Sequence, residues 1–211
     1  MFNYFNMKFD LHIHTSLSTC SSLSLTDILD NAINKGLDGV CITDHHTMAV
    51  EKHITEGLQQ NGLCVIFGME YATSDGDFLI FGPFENLPAG MDAKTLLNIV
   101  KHENGAAIAA HPFRQGRPVK EYIIKNHLCH AVETLNGRNT DIENLRTDAW
   151  IRKYPLKQTG GSDAHTLDEL GTVVTCFDRP ITSRMDFIHA IKNSTYYPES
   201  GIQKIKKSTA Y

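Results

Sequence analysis

Short apolar runs alternate with amphipathic segments along most of the chain. Residues 8–15 form the first apolar run, and residues 25–36 follow with apolar side chains at helical spacing and a glycine at the end. The same order recurs as far as residue 193. The pattern predicts strands at residues 8–15, 39–45, 63–70, 77–82, 106–112, 131–136, 156–165 and 172–177, and helices at 25–36, 48–62, 92–105, 118–127, 140–152 and 183–193.

Several predicted strands are almost continuous runs of Val, Ile, Leu and Ala, which is typical of parallel strands covered by helices on both faces. The fold class is therefore α/β, with right-handed crossovers. About seven or eight strand–helix units in 211 residues fit a compact barrel better than an open sheet. We expect one barrel domain over residues 1–211, with residues 1–7 as a disordered or non-native start and residues 195–211 as a tail.

Composition excludes several classes of function. The chain has 20 Lys and Arg against 24 Asp and Glu, so we expect no dedicated surface for duplex DNA. No apolar run is long enough to span a membrane, and the first residues do not resemble a secretory signal. Five scattered cysteines without a paired spacing predict reduced thiols and a cytoplasmic location.

Polar side chains that bind metals gather where the predicted strands end. In a parallel barrel these ends meet on one face, where barrel enzymes place their active sites. Imidazole and carboxylate groups together suit zinc, manganese or iron. The residues concerned are His12, His14, Asp44, His45, Glu70, His111, Glu133, Asn136, Asp163 and His165.

The spacing of these residues supports a metal site. His12 and His14 are two residues apart on a strand, so both side chains leave the same face. Asp163 and His165 repeat that spacing near the other end of the chain. Either pair alone is a weak signal, whereas both pairs together with a glutamate and a His-Pro at other strand ends form a strong one.

The chain resembles the PHP family, named for polymerase and histidinol phosphatase. The resemblance implies a distorted (β/α)7 barrel of the TIM type, with a cluster of two or three metal ions that hydrolyses phosphoesters. It runs from about residue 8 to residue 177, and it depends on the order of six motifs: FDLHIHT (9–15), ITDHH (42–46), GME (68–70), AAHPFR (109–114), VETLNGRN (132–139) and GGSDAH (160–165).

Position by position, the resemblance implies that His12, His14, Glu70 and Asp163 hold one ion, that His45 and His165 hold a second, and that Glu70 and His111 hold a third. Two positions depart from the family pattern. Thr19 stands where the family often has an aspartate ligand, and Asp77 stands where many members have a histidine. Asp77 remains a candidate ligand, whereas the second site is expected to be weaker or to be completed by water or Cys20.

The resemblance also implies a mechanism, in which bridging hydroxide attacks a phosphoester between two ions. Glu70, His111 and His165 are the candidate catalytic residues, and either histidine is a candidate proton donor to the leaving group. Arg114 and Arg138 are candidate clamps for a phosphate oxygen, although solvated loop arginines are equally expected. Glu133 and Asn136 are candidates for substrate binding or for support of the ligands, and Asp10 and Asp44 are expected to orient imidazoles.

The expected substrate is a phosphorylated small molecule or the end of a nucleic-acid fragment, and the oligomeric state is open. Two alternatives remain. An amidohydrolase-type enzyme that breaks C–N bonds also pairs such histidines with a late aspartate, but it commonly carries a modified lysine where Glu70 stands here. A catalytically silent metal-binding module is the other alternative, because Thr19 and Asp77 depart from the family ligands.

Overall fold

A computed structural model describes residues 6–201, in which eleven β-strands and five α-helices alternate. The helices are α1 (Leu25–Asn31), α2 (Ala93–His102), α3 (Glu121–Lys125), α4 (Asp141–Lys153) and α5 (Arg184–Asn193). The strands are β1 (Met7–Ile13), β2 (Gly39–Ile42), β3 (Gly57–Leu58), β4 (Cys64–Phe67), β5 (Met69–Thr73), β6 (Gly76–Phe81), β7 (Ala106–Ala109), β8 (Ala131–Asn136), β9 (Gln158–Gly161), β10 (Val173–Phe177) and β11 (Tyr196–Ser200). Short 3-10 turns cover Ile33–Lys35 and Ala49–Lys52.

The strands of this region pair as two sheets and do not close into one barrel. One sheet has the order β11-β10-β1-β2-β4-β3, and the other has the order β5-β6-β7-β8-β9. The expected parallel pairing occurs for β1 with β2, β2 with β4, β7 with β8 and β8 with β9. The pairs β1–β10, β5–β6 and β6–β7 are antiparallel. The prediction of an α/β fold is confirmed, whereas the closed (β/α)7 barrel is not found.

The second sheet meets the first at both of its own edge strands, β5 and β9, through a single bridge on each side. Ile13 at the end of β1 bridges Ala164, just beyond β9, and His45 beyond β2 bridges Glu70 on β5. The ends of strands from both sheets therefore meet at these two seams. This arrangement places residues that are far apart in the sequence on one common face.

A shared apolar core packs the sheets together below that face. Phe9 and Leu11 of β1 belong to the same buried cluster as Leu79 of β6 and Ile108 of β7. Phe187 of α5 belongs to the same cluster, and its ring centroid lies 4.7 Å from that of Phe81. Because residues of both sheets share one cluster, their relative position is fixed by burial of apolar surface.

The predicted strand at residues 63–70 is two strands in the structure. β4 pairs with β2 in the first sheet, and β5 pairs with β6 in the second. Gly68 lies at the break, where an added Cβ would be 2.5 Å from the Phe81 ring and 2.9 Å from the Ile80 carbonyl oxygen. Only glycine lets the chain pass so close to β6 while it changes sheets.

The predicted helix at residues 48–62 is also different. This segment contains the 3-10 turn Ala49–Lys52 and the two-residue strand β3, which pairs with β4. Gly57 has a φ of 105°, a conformation that a helix does not contain. The glutamate before it accepts a hydrogen bond from the Phe67 amide and pairs with Arg184 at 2.8 Å. Tertiary contacts therefore replace the helix.

The last described segment forms β11 inside the region that the sequence identifies as a tail. β11 pairs with β10 along five residues, from Tyr196 to Ser200. Residues 1–5 and 202–211 lie outside the described residues, and the expectations for those ends lie there with them. None of the helices in residues 6–201 is both long enough and apolar enough to cross a membrane.

Candidate metal centre

The site begins where two strand pairs lose their regular register. The β1–β2 register shifts between Asp10 and Ile13, and the β8–β9 register shifts between Glu133 and Leu135. Irregular pairing of this kind redirects side chains, and it is common next to active sites. His12 and Glu133 leave their strands at these two points and meet each other in the interior.

The tautomer of His12 is set by that contact. His12 Nδ1 lies 3.0 Å from Glu133 Oε1, and both side chains are buried. A carboxylate only accepts, so Nδ1 carries the proton and Nε2 presents a lone pair to the cluster. The same arrangement of carboxylate and imidazole orients histidine ligands in many metal sites.

A second chain of hydrogen bonds orients His14. Asp44 accepts a hydrogen bond of 2.6 Å from the Ser18 hydroxyl, so the Ser18 oxygen is left to accept from others. It accepts from His14 Nδ1 at 3.4 Å and from the His45 amide at 3.1 Å. His14 therefore also presents Nε2 to the cluster. Asp44 acts on this imidazole through Ser18, in accordance with its expected supporting role.

The two presented nitrogens face each other among carboxylate oxygens. His12 Nε2 and His14 Nε2 are 3.1 Å apart, and Glu70 Oε2 lies 3.4 and 3.2 Å from them. Asp163 Oδ1 lies 3.6 and 3.4 Å from the same nitrogens. Four electron-pair donors at these distances repel one another unless a cation lies among them. The donor set therefore fits a divalent ion.

Glu70 lies at the centre of the cluster and faces groups on both sides. Its Oε2 is also 3.0 Å from His45 Nδ1, whereas its Oε1 is 2.9 Å from His111 Nε2. Asp77 Oδ2 lies 3.8 Å from the same His111 nitrogen. A single carboxylate thus separates two groups of donors, which is the geometry expected of a bridging ligand.

The shifts in pKa report how strongly these charges interact. Burial lowers the pKa of His12, but Asp163, Glu133 and Glu70 outweigh it and raise that pKa well above 6.5. Burial also lowers the pKa of His14, yet hydrogen bonds to Asp163 and Glu70 leave it raised. Burial likewise raises the carboxyl pKa values of Glu70 and Asp163, but the neighbouring histidines hold both well below their ordinary range. The carboxylates are therefore ionised, and the neighbouring histidine rings supply compensating charge.

Four overlapping groups of donors have ligand atoms within 4.8 Å of one another. All eight residues predicted to bind metal therefore lie in one cluster, although two of the groups combine residues that the resemblance assigns to different ions. Thr19 and Cys20 are exposed and belong to none of the groups, so Cys20 does not complete the second site. The groups are His12, His14 and Glu70; His12, His111 and Asp163; Glu70, Asp77 and His111; and His14, His45 and His165.

Two cluster residues have a left-handed backbone. The φ angles are 29° for His111 and 56° for Asp163, and each residue is the second one after the end of a strand. Such angles are uncommon for residues other than glycine, and they concentrate at functional sites. In this chain they turn both side chains back toward Glu70 and His12.

His165 lies at the rim of the cluster. Its Nδ1 is 2.8 Å from the Asp163 carbonyl oxygen, which can only accept a hydrogen bond, so the free lone pair is on Nε2. Burial is the main reason that its pKa falls to about 4. At neutral pH His165 is therefore a neutral imidazole, which suits a ligand better than a proton donor.

Asp10 has a different role from the expected one. Its carboxylate accepts hydrogen bonds from the Ser162 and Gly171 amides, the Ser162 hydroxyl and the His12 amide. It contacts no imidazole nitrogen, so the expectation that it orients a histidine ring is wrong. Asp10 instead ties the backbone of β1 to the segment that follows β9, because buried amides need acceptors.

The predicted substrate-binding residues differ in their contacts: Glu133 and Asn136 contact each other within the site, whereas Arg114 and Arg138 pair with acidic side chains. Glu133 directs its Oε2 to the His111 amide at 2.8 Å and to Asn136 Nδ2 at 2.9 Å, so both of its oxygens have partners inside the cluster. Arg114 pairs with Asp163 Oδ2 at 2.8 Å. Arg138 is exposed and lies 3.5 Å from Glu169. Positioning of neighbours is the better description of Glu133 and Asn136.

Sequence reasoning did not single out two residues that the structure places in the site. Ser18 links Asp44 to His14. It is the last residue of the H-x-H-T-x-x-S pattern at residues 12–18, directly before Thr19. Arg117 Nε lies 3.1 Å from Asp77 Oδ2. Its spacing of three residues from Arg114, in the loop that begins at His111, was the available signal.

Comparison with known proteins gives matches over most of the chain. An uncharacterized protein from Methanocaldococcus jannaschii is 29% identical over 179 residues, which cover 81% of this chain and 70% of the relative. The lesion-specific endonuclease EndoQ from Pyrococcus furiosus has a similar structure, with a TM-score of 0.71 and 19% identity, covering 92% of this chain and 57% of that one.

A two-domain protein from Bacteroides vulgatus that contains a predicted PHP-like metal-dependent phosphoesterase is also similar. Its TM-score is 0.70 at 20% identity, and the match covers 94% of this chain and 66% of that one. At these identities the structural matches show the fold alone. They agree with the arrangement of strands and helices described above.

Family models locate the relationship more precisely. A model described as PHP-associated matches residues 141–196, which include Asp163 and His165. The model of the PHP domain matches residues 10–142, which include the other six members of the donor cluster. Since this second match spans more than half of the chain, the protein belongs to the PHP domain family.

Proposed function

We propose that this protein is a metal-dependent phosphoesterase that hydrolyses phosphomonoesters or phosphodiesters. The observation that carries the proposal is the position of Glu70, whose Oε2 faces His12, His14 and His45 while its Oε1 faces His111. Paired ion sites that share one carboxylate are typical of enzymes that hydrolyse phosphoesters. Membership of the PHP family supports the same reaction class.

The residues that would hold the ions are the eight members of the four donor groups. Bound divalent ions would polarise the phosphoryl oxygens and lower the pKa of water toward neutrality. Zinc, manganese and iron all suit a mixed set of imidazoles and carboxylates.

The chain itself supplies preorganisation. Glu133 and Ser18 fix the imidazoles of His12 and His14 so that each Nε2 is aimed inward before any substrate arrives. The left-handed backbone at His111 and Asp163 holds two more donors in place. Fixed donors cost no reorganisation during the reaction, which is the main source of electrostatic catalysis.

The cluster is buried on one side and open on the other. His12, His14 and His111 have no exposed surface, whereas the His45 side chain is 27% exposed. A substrate would approach from the side of His45, where the rim residue His165 also lies. His165 is neutral at neutral pH, so a role as ligand or base is favoured over the donation of a proton.

The proposed substrate class is broad. A phosphorylated small molecule or the end of a nucleic-acid fragment fits a solvent-open cluster on a chain with a net charge of −4. EndoQ is a lesion-specific endonuclease, and a related structure of it holds a 27-mer duplex with an abasic lesion. The shared fold leaves the substrate of this chain undetermined.

The two alternatives have less support. The position where an amidohydrolase-type enzyme would commonly carry a modified lysine is occupied by Glu70, whose ion-pair partners within residues 6–201 are histidines. A silent metal-binding module would not need so many fixed donors. Both alternatives make predictions that differ from those of a phosphoesterase.

Metal content is the first test. Protein purified without chelator is expected to contain two or three ions per chain by elemental analysis, and fewer than one would support the silent module. Assays on a phosphomonoester, a phosphodiester and an amide then distinguish the enzymes. Turnover of the amide alone would overturn the proposal.

Two variants test the site. Asp163→Asn is expected to abolish phosphoester turnover, because it removes the charge that faces His12 and His14. His53→Ala is the matched control, because His53 is exposed and belongs to none of the donor groups in the described residues. Full activity in the Asp163 variant would contradict the assignment of the site.

A further inference from the structure

Three arginines surround the metal centre, and their contacts differ. We propose that Arg117 is the residue that binds the phosphate of the substrate, whereas Arg114 positions Asp163. This inference rests on the proposed function and adds a specific residue to it. It also reverses the expectation from sequence, which named Arg114 and Arg138 for phosphate binding.

Two of the three guanidinium nitrogens of Arg114 are engaged with the protein. Its Nε donates to Asn139 Oδ1 at 3.0 Å, and one terminal nitrogen donates to Asn136 Oδ1 at 2.8 Å. The same terminal nitrogen lies 2.8 Å from Asp163 Oδ2, and the side chain is only 19% exposed. An arginine held in this way has little freedom to turn toward a substrate.

Those contacts give Arg114 a different task. Because Arg114 pairs with Oδ2 of Asp163, the other oxygen, Oδ1, remains directed at His12 and His14. Asn136 reinforces the arrangement from the far side, since its Nδ2 lies 3.4 Å from the same Oδ2. Arg114 thus selects which carboxylate oxygen faces the ions.

Arg138 pairs with a residue that is not a candidate ligand. Its side chain is 41% exposed, and its Nε lies 3.5 Å from Glu169, a residue outside the donor groups. The Glu169 carboxylate also accepts hydrogen bonds from the His165 and Thr166 amides. Arg138, in the loop after β8, thus has an acidic partner of its own in the loop after β9.

Arg117 lies beside the metal centre, and its side chain is exposed. Its Nε is 3.1 Å from Asp77 Oδ2, a buried oxygen in the same donor group as Glu70 and His111. Yet the side chain is 46% exposed. Within residues 6–201 its two terminal nitrogens have no hydrogen-bond or ion-pair partner. The fork of the guanidinium group is therefore open to solvent at the edge of the metal centre.

The backbone around Arg117 is anchored. Its amide donates to the Arg114 carbonyl at 3.2 Å, and the Val119 amide donates to the Pro112 carbonyl at 2.9 Å. The loop thus returns to its start and keeps Arg117 above the cluster. Only the side chain needs to move in order to meet a ligand.

The chemistry of the ligand follows from the free fork. Two parallel N–H groups of a guanidinium match two oxygens of a phosphate and bind them bidentately. Asp77 Oδ2 lies 3.1 Å from the Arg117 Nε, so within the described residues the two terminal nitrogens are left free beside the donor group of Glu70, Asp77 and His111. A phosphate ester is the class of ligand that satisfies both the ions and this fork.

Phosphate binding tests the proposal directly. Protein loaded with Mn²⁺ is titrated with inorganic phosphate by calorimetry, and KM is measured with p-nitrophenyl phosphate. Arg117→Ala is expected to weaken phosphate binding and raise KM by about 10- to 100-fold, the effect of one bidentate charged contact. Arg117→Lys keeps the charge without the fork and is expected to fall between. Metal content is expected to remain that of the wild type in both variants.

Arg114→Gln gives the opposite signature. It is expected to reduce metal affinity by about tenfold or more, as the loss of a supporting contact does. At saturating metal its KM is expected to stay close to the wild-type value. Arg152→Ala is the control for loss of an exposed arginine, because Arg152 pairs only with Asp148, at 4.0 Å on the surface of α4.

The outcomes separate the two proposals. Wild-type protein that neither binds phosphate nor hydrolyses an ester would overturn the proposed function. Wild-type protein that binds phosphate, together with an Arg117→Ala variant that binds it equally well, would overturn this inference alone. A rise in KM confined to Arg114→Gln would assign the phosphate contact to Arg114 instead.

Discussion

Three of the imidazoles in the metal centre are fixed by a contact on the outer side of the ring. His12 has Glu133, His14 has Ser18, and His165 has the Asp163 carbonyl oxygen. His111 differs, because its Nδ1 is buried and has no hydrogen-bond partner among the described residues. Its orientation depends on the left-handed backbone and on Glu70 instead. The orientation of these rings is therefore set by a different local contact for each residue.

Glu133 offers a test of this positioning. In Glu133→Gln, the carboxylate that accepts from His12 Nδ1 and from the His111 amide becomes a neutral amide. The weaker acceptor makes His12 less basic and less well oriented, so metal affinity is expected to fall by about 10- to 100-fold. Competition with a chelator of known affinity measures the change. Glu121→Gln, at an exposed position in α3, is expected to leave metal affinity unaltered.

Gly161 shows how closely the backbone approaches the site. An added Cβ would lie 2.6 Å from His12 Cβ and 2.8 Å from Glu133 Oε1. Gly161→Ala is therefore expected to cost roughly 1–3 kcal/mol of stability and also to lower the number of bound ions. Thermal unfolding and elemental analysis measure the two effects.

The adjacent glycine provides the matched comparison. A Cβ at Gly160 would meet Val173 and Pro198 on the opposite face, not the site residues. Gly160→Ala is thus expected to lose stability while it keeps its metal. Equal loss of metal in both variants would show that general destabilisation, not the contact with His12, is responsible.

At the level of elements, the loops after the strands carry the chemistry and the helices anchor the loops. α4 begins with a capping box in which Thr140 accepts from the Glu143 amide and Glu143 accepts from the Thr140 amide. The other Glu143 oxygen accepts from the Gln115 amide at 2.7 Å. One glutamate therefore caps a helix and holds the loop that contains Arg114 and Arg117.

The two functions of Glu143 are separable by mutation. Thr140→Ala removes the cap alone and is expected to cost about 1 kcal/mol in urea denaturation. Glu143→Ala is expected to cost a similar amount, because the cap is weakened there too. It is also expected to raise KM for a phosphoester, since the loop loses its anchor. An unchanged KM in Glu143→Ala would contradict this link between helix and loop.

At the level of the whole molecule, the metal centre lies at the seam of two sheets. β1 supplies His12 and the second sheet supplies Glu70, so three of the four donor groups draw on both sheets, whereas Glu70, Asp77 and His111 all come from the second sheet or from the segment after β7. Burial of Phe9, Leu79 and Phe187 in a shared core holds the sheets together. Assembly of the site therefore requires the complete fold.

The charge balance of the assembled centre predicts a dependence on pH. The pKa values of His12 and His14 are raised, chiefly because carboxylate partners overcome the effect of burial. Protons on these rings compete with metal ions, since only the neutral imidazole is a ligand. Metal affinity is therefore expected to fall as the pH falls, and binding is expected to release protons.

Calorimetry in buffers of different ionisation enthalpy counts the protons released. The expected count is above zero at neutral pH and grows as the solution is acidified toward the pKa of the free carboxylates. A metal affinity that is constant between pH 8 and pH 6 would contradict the charge assignment. Glu133→Gln is expected to release fewer protons, because one of the groups that raises the His12 pKa is neutral in that variant.

Most of the metal ligands were predictable because they belong to short motifs. The H-x-H and D-x-H spacings place two donors on one face of a strand whatever the rest of the fold does. The α/β class was predictable for the same reason, since apolar periodicity is a local property. Residues 48–62 show where local pattern fails to predict structure. Their spacing favours a helix, but contacts of Glu56 with Phe67 and Arg184 stabilise a different conformation.

The sequence by itself determined the donor types, their order along the chain and the α/β class, because these follow from residue chemistry and local periodicity. Only the tertiary structure decided the pairing into two sheets, the central position of Glu70 and the different tasks of Arg114 and Arg117. Those features depend on which distant groups come within a few ångströms of each other. Such distances arise when the shared core is buried, and no short stretch of sequence encodes them.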